Sequence, residues 1–89
     1  MIDKAGAIPT ILTKLKKLPI GCGIDLRTFK RDRSIIIMRE AGDSFSVKEN
    51  GFEQAAFTAD LKGMRKLLKT LLKREFPRSN KIRVYDVLT

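Results

Sequence analysis

Residues 44–58 read Ser44-Phe45-Ser46-Val47-Lys48-Glu49-Asn50-Gly51-Phe52-Glu53-Gln54-Ala55-Ala56-Phe57-Thr58, and this stretch decides the fold. Polar and apolar residues alternate before Asn50, with Phe45 and Val47 on one side and Ser44, Ser46 and Lys48 on the other. A period of two marks a strand with one buried face. Asn50-Gly51 is the strongest hairpin signal in the chain, because a type I′ turn needs positive φ at both central positions. Phe52 to Thr58 is the returning strand. The two strands must be antiparallel, since so short a link cannot make a crossover.

Upstream, two more strands are linked as tightly. Ile24 to Lys30 alternates, with Ile24, Leu26 and Thr28 on one face. Arg31-Asp32-Arg33 is a hairpin tip, and Ser34 to Glu40 carries the β-branched run Ile35-Ile36-Ile37. Ala41-Gly42-Asp43 reads as the turn into Ser44. The result is a four-stranded antiparallel meander.

A helix precedes the meander. Pro9 to Leu18 places Ile8, Ile11, Leu12, Leu15 and Leu18 on one face, with Lys14, Lys16 and Lys17 on the remainder. Pro9 suits the first turn, and Pro19 cannot continue the helix. Gly21-Cys22-Gly23 follows as a turn. A second helix follows the meander, from Leu61 to Phe76. Asp60 is its expected N-cap and Pro77 its stop. Leu61, Met64, Leu68, Leu71 and Leu72 form its apolar stripe, with Leu67 at the edge. Gly63 costs about 1 kcal/mol against alanine in a helix interior, and is expected to let the helix approach the sheet. Lys81 to Val87 alternates as a final strand.

The expected order is α-β-β-β-β-α-β. The fold class is α+β: a two-layer sandwich, with a four-stranded antiparallel meander plus a C-terminal strand and two helices on one face. The other face is left open. On it Phe29 and Tyr85 are expected, while Phe45, Phe52, Phe57 and Phe76 are expected in the core. Eighty-nine residues make one domain, residues 1–89. The edge taken by the last strand is not readable. Exchange of that strand with a second copy would make a homodimer.

Charge narrows the function. The chain carries a formal charge of +9, which favours anionic partners. On the second helix Lys62, Lys66, Lys69 and Lys73 are spaced four, three and four apart, forming one stripe opposite the leucines. Arg65 and Arg74 flank it, and no acid lies between Asp60 and Glu75. Ordinary solvated helix faces mix signs, because Glu–Lys pairs at four-residue spacing stabilise. A stripe of one sign repels itself, and phosphates would relieve that repulsion. Lys30, Arg31 and Arg33 form a second basic cluster, and Arg78, Lys81 and Arg83 a third. Glu40 to Leu61, by contrast, holds five acids and one lysine.

Catalytic signals are poor. The chain has no histidine and one cysteine, Cys22. The commonest general base is therefore missing, and no structural zinc site can form from a single thiol. No P-loop, zinc-finger spacing, RNA-recognition signature or helix-turn-helix is present. No catalytic residue, metal ligand or cofactor is expected, and the chain does not read as an enzyme. A single cysteine excludes an internal disulfide and suits a reducing compartment. Met1 to Ala7 contains Asp3 and does not read as a signal peptide. The longest apolar run, Ile35 to Met38, is far short of a membrane span. A cytoplasmic protein without a membrane partner is expected.

The stretch Leu61 to Val87, with Phe76-Pro77-Arg78-Ser79-Asn80-Lys81-Ile82-Arg83-Val84, resembles small uncharacterised archaeal α+β proteins, some of which are similar to a TATA-binding-protein-like two-layer fold. The resemblance implies a sheet with one open face and helices on the other, and it implies no activity. The chain departs from that fold's strand-first order, having its extra strand at the end.

These readings lead to a non-catalytic protein that binds DNA or RNA through phosphate contacts with little sequence preference. The expected contacts are Lys62, Arg65, Lys66, Lys69 and Lys73, helped by Arg31 and Arg33. The alternative is a protein-interaction module or homodimer that takes an acidic partner.

Overall fold

A computed structural model describes residues 1–28, 30, 32–51 and 53–88. The elements are β1 (Ile2–Asp3), a 3₁₀ turn (Lys4–Gly6), α1 (Ala7–Lys16), β2 (Gly23–Arg27), β3 (Ser34–Ala41), β4 (Ser44–Asn50), β5 (Gln54–Ala59), α2 (Leu61–Glu75) and β6 (Lys81–Val87). All strands lie in one antiparallel sheet of order β1-β6-β2-β3-β4-β5.

The α+β class and the β2–β5 meander agree with the sequence pattern, while among the described residues the sheet has six strands rather than five. The last strand joins β2 at the free edge of the meander, with Leu26 opposite Val84 and Asp25 opposite Tyr85. Strand β1 then covers β6, pairing Ile2 with Ile82. Two residues carry no periodicity, so this strand has no local signal. Its place comes from long-range contacts: the Lys4 amide donates to Asn80 O at 2.9 Å, the Lys4 ammonium to Phe76 O, and Lys81 pairs with Asp3.

Both helices bury their apolar stripes against one face of the sheet. Ile11, Leu12 and Leu15 of α1 meet Met64, Leu68, Leu71 and Leu72 of α2 above Ile24, Leu26, Ile35, Ile37, Phe45, Val47 and Ile82. Each such side chain contributes roughly 1.5–3 kcal/mol by leaving water. Phe45 and Phe76 are buried, and Phe57 packs partly buried beside them. Phe29 and Phe52 lie outside the described residues. Tyr85 shares the opposite face with Asp25 and Ile36, as their cross-strand register requires. Among the described residues, no helix is long and apolar enough to cross a membrane.

Helix α1 begins two residues before the expected Pro9, because Ala7 is fully buried and the 3₁₀ turn leads straight into it. Pro9 still lies among the first residues, whose N–H groups have no intrahelical acceptor. At the other end the Arg39 guanidinium reaches across from β3, donating to Leu18 O at 2.7 Å and Gly42 O at 2.9 Å. A register irregularity between Arg39 and Ala41 accompanies that reach. A cation beside the orphan carbonyls of a helix C-terminus is favourable.

Two local expectations fail for identifiable reasons. Asn50-Gly51 does not make a two-residue turn: Asn50 stays in β4 and pairs with Gln54, and the positive φ among the glycines belongs to Gly21, at 90°. Gly51 serves close approach instead, since a β-carbon there would meet Glu75 Oε1 and the Arg33 side chain. Gly63 does not face the sheet. It is exposed, and a β-carbon there would sit 3.2 Å from Asp60 Oδ1, so the glycine leaves room for the N-cap.

Gly23 is the tightest glycine in the sheet, as a β-carbon there would fall on the Ile37 carbonyl oxygen and Met38 Sδ. Gly42 has no heavy atom within 4 Å of such a carbon. Urea unfolding should show Gly23→Ala destabilised by about 1–3 kcal/mol, as expected of overpacking. Gly42→Ala should stay within about 0.5 kcal/mol of the parent. Equal stability of the two variants would contradict this packing.

Candidate functional site

The N-terminus of α2 is capped twice. Asp60 Oδ1 accepts from the Gly63 amide at 2.7 Å, and Asp43 Oδ1 accepts from the Leu61 amide at 3.2 Å. Two carboxylates at the positive end of the helix dipole offset the unfavourable Lys62 in the first turn. With the leucines held inward, helical geometry turns Lys62, Arg65, Lys66, Lys69 and Lys73 outward, and all five are exposed. Among the described residues none of the five enters an ion pair. Nearby acids point elsewhere: Asp43 at the helix N-terminus and Glu49 at Arg74.

Two other cations, Arg33 and Arg74, are held by two buried acids. Glu49 and Glu75 have fully buried side chains on the core side of β4 and α2. Arg74 grips Glu49 with both edges, Nε to Oε2 at 2.9 Å and Nη2 to Oε1 at 2.7 Å. Glu75 Oε2 accepts from the Glu53 amide at 3.1 Å. Arg33 donates from Nη1 to the Glu75 carbonyl at 3.2 Å, with its Nε 3.9 Å from Oε1. Arg33 is thus engaged by Glu75 and stands apart from the lysine stripe. Arg31 lies outside the described residues.

The Glu75 carboxyl lies close enough to disfavour the charge on Glu49. The Arg74 hydrogen bonds draw the Glu49 pKa down, but burial and the Glu75 carboxyl outweigh them. Glu49 therefore titrates above its ordinary value. A signal for this pair was present in the sequence. Glu49 is in phase with Phe45 and Val47, and Glu75 follows Leu71 and Leu72 on the buried side of α2.

The second and third basic clusters, far apart in sequence, meet in space. Lys30 and Arg33 from the β2–β3 connection, Arg74 from α2, Arg78 from the α2–β6 connection and Lys81 at the start of β6 line one cleft of about 810 Å³. Arg83 leaves this group, because its register opposite Arg27 places it on the open sheet face. There Arg27 pairs with Asp25 at 2.9 Å and lies 5.7 Å from the centre of the Tyr85 ring. The second Asp25 oxygen is buried and takes no hydrogen bond among the described residues, so this carboxylate leans on Arg27 alone.

Among the described residues, no three of His, Cys, Asp and Glu gather as metal ligands. Cys22 is half-buried in the turn after α1, its amide donating to Pro19 O at 3.1 Å.

Glu49 makes stability depend on pH. The folded protein holds this proton to higher pH than the unfolded chain, so the contribution is complete below the ordinary glutamate range and is lost as pH rises through the raised value. Urea unfolding between about pH 4.5 and pH 7 should show the parent losing more stability than Glu49→Gln. Identical losses would refute the raised value.

Compared with protein-family models, curated proteins and solved structures, the chain finds no match.

Proposed function

We propose that this protein is a non-catalytic, cytoplasmic nucleic-acid-binding protein that grips the phosphate backbone of DNA or RNA through α2, with little sequence preference. The observation that carries the proposal is the row of exposed cations Lys62, Arg65, Lys66, Lys69 and Lys73, without ion-pair partners among the described residues. The protein has carboxylates in its sheet and turns that reach α2. It directs them to the helix N-terminus and to Arg74, not to this row.

The chemistry follows from the row's composition. Lysine ammoniums are point charges on flexible stems, suited to tracking successive phosphates and unsuited to reading base edges. The row holds one arginine and no asparagine or glutamine, so few of its side chains can make the paired contacts of base readout. Binding would be driven by release of counterions condensed on the nucleic acid.

If four or five of these cations each meet a phosphate, log K on duplex DNA should fall with log salt at a slope of roughly −4. Fluorescence anisotropy with labelled single- and double-stranded DNA and RNA at several salt concentrations measures it. Lys66→Gln with Lys69→Gln should weaken binding uniformly across sequences and make the slope shallower by about two. Absence of binding at low salt, or a slope the double variant leaves unchanged, would refute the proposal.

A further inference from the structure

We propose that the cleft between the β2–β3 and α2–β6 connections is a separate site for a terminal phosphate, the dianionic group carried by a nucleotide or by a phosphorylated nucleic-acid end. This goes beyond the α2 reading and stands without it. The starting observation is convergence: two stretches far apart in sequence deliver Lys30 and Arg33, and Arg74, Arg78 and Lys81, to one concavity. At about 810 Å³ it falls within the range of about 300–1,000 Å³ typical of small-ligand sites.

Shape separates this site from the helix face. A convex row meets phosphodiesters one after another, each a single negative charge. A concave set of cations focuses its field on one point, which suits a compact group of higher charge. The walls are also positioned in advance. Arg33 and Arg74 are held by Glu75 and Glu49, whose side chains are fully buried, while the arginine side chains remain 33% and 31% exposed. Arg74 uses Nε and Nη2 on Glu49, which leaves Nη1 for a ligand. A guanidinium fixed from behind loses less freedom when it binds an oxyanion.

Charge identifies the residues that decide affinity. Glu49 and Glu75 answer Arg74 and Arg33, and Asp3 answers Lys81. Asp32, the acid on the lining, accepts the Thr28 hydroxyl at 2.6 Å. Lys30 and Arg78 are exposed and enter no ion pair among the described residues. Asp32 acts electrostatically on Lys30 and Arg33, so Arg78 is the cation of the cleft least answered by an acid, with Lys30 next to it.

The test uses the full chain at low salt. Affinities are measured for one short oligonucleotide with a 5′-phosphate, the same strand with a 5′-hydroxyl, and a nucleoside monophosphate. The parent is compared with Lys30→Ser/Arg78→Ser and with Lys66→Ser/Lys69→Ser. All four positions are exposed, and circular dichroism confirms folding of each variant.

The parent should prefer the phosphorylated strand, and the Lys30/Arg78 variant should lose that preference, binding it roughly tenfold more weakly, about one charge-assisted hydrogen bond's worth. Binding of the monophosphate, lost in the same variant, identifies a free nucleotide as a source. Preference for the phosphorylated strand without monophosphate binding identifies the nucleic-acid end. The Lys66/Lys69 variant should weaken both strands equally and keep the preference. If the α2 reading alone fails, that variant binds both strands like the parent while the cleft effects persist. The cleft proposal is overturned if the parent neither distinguishes the two strands nor binds the monophosphate. It is also overturned if the two double variants have equal effects on every ligand.

Discussion

Two buried carboxylates organise this molecule. Glu49 sits on the core face of β4 and Glu75 on the core face of α2, both removed from water. A charge in that position must be paired or must give up its ionisation. Arg74 from α2 and Arg33 from the β2–β3 connection supply the pairing, and the Glu53 amide completes it. The cluster therefore ties together the β2–β3 connection, β4, α2 and the β4–β5 connection. Removing an arginine from such a cluster costs about 3–5 kcal/mol, because the carboxylate it leaves stays buried. Gly51 belongs to the same device, since any side chain there would collide with Glu75.

The cluster also sorts the positive charge. The cations nearest the acids turn inward and stabilise the fold. Those on the far side of α2 enter no ion pair among the described residues and remain exposed. Rotation of α2 about its axis is fixed from three directions, by the Asp60 and Asp43 caps at its start, by the leucine stripe along its length, and by Glu75 and Arg74 at its end. The outward lysine row is thus a consequence of how the helix is anchored. The cleft has the same origin, because the arginines that hold the acids form part of its wall.

What could be read from the sequence was local. The alternation of β4, the period of α2 with its Asp60 cap, and the alternation of Lys81 to Val87 each produced the element they imply. The lysine row was legible for the same reason, being a property of one helix. What escaped depends on pairings distant along the chain. Strand β1 is too short to carry a pattern and exists through β6. The Asn50-Gly51 turn was displaced by the demand of Glu75 for space and for the Glu53 amide. Arg33 read as an exposed tip residue, because its partner lies on another element. The cleft escaped because its two basic clusters meet only after β6 takes its place beside β2.

Nucleic acid is proposed to lie along the outer face of α2. The most direct measurement is residue-resolved NMR: backbone amide shifts of the isotope-labelled protein, followed as a short unphosphorylated oligonucleotide is added at low salt. The account requires the largest changes along α2 at Lys62, Arg65, Lys66, Lys69 and Lys73, fading as salt is raised. Changes concentrated instead on the open sheet face around Arg27, Lys48 and Tyr85, with α2 silent, would contradict it.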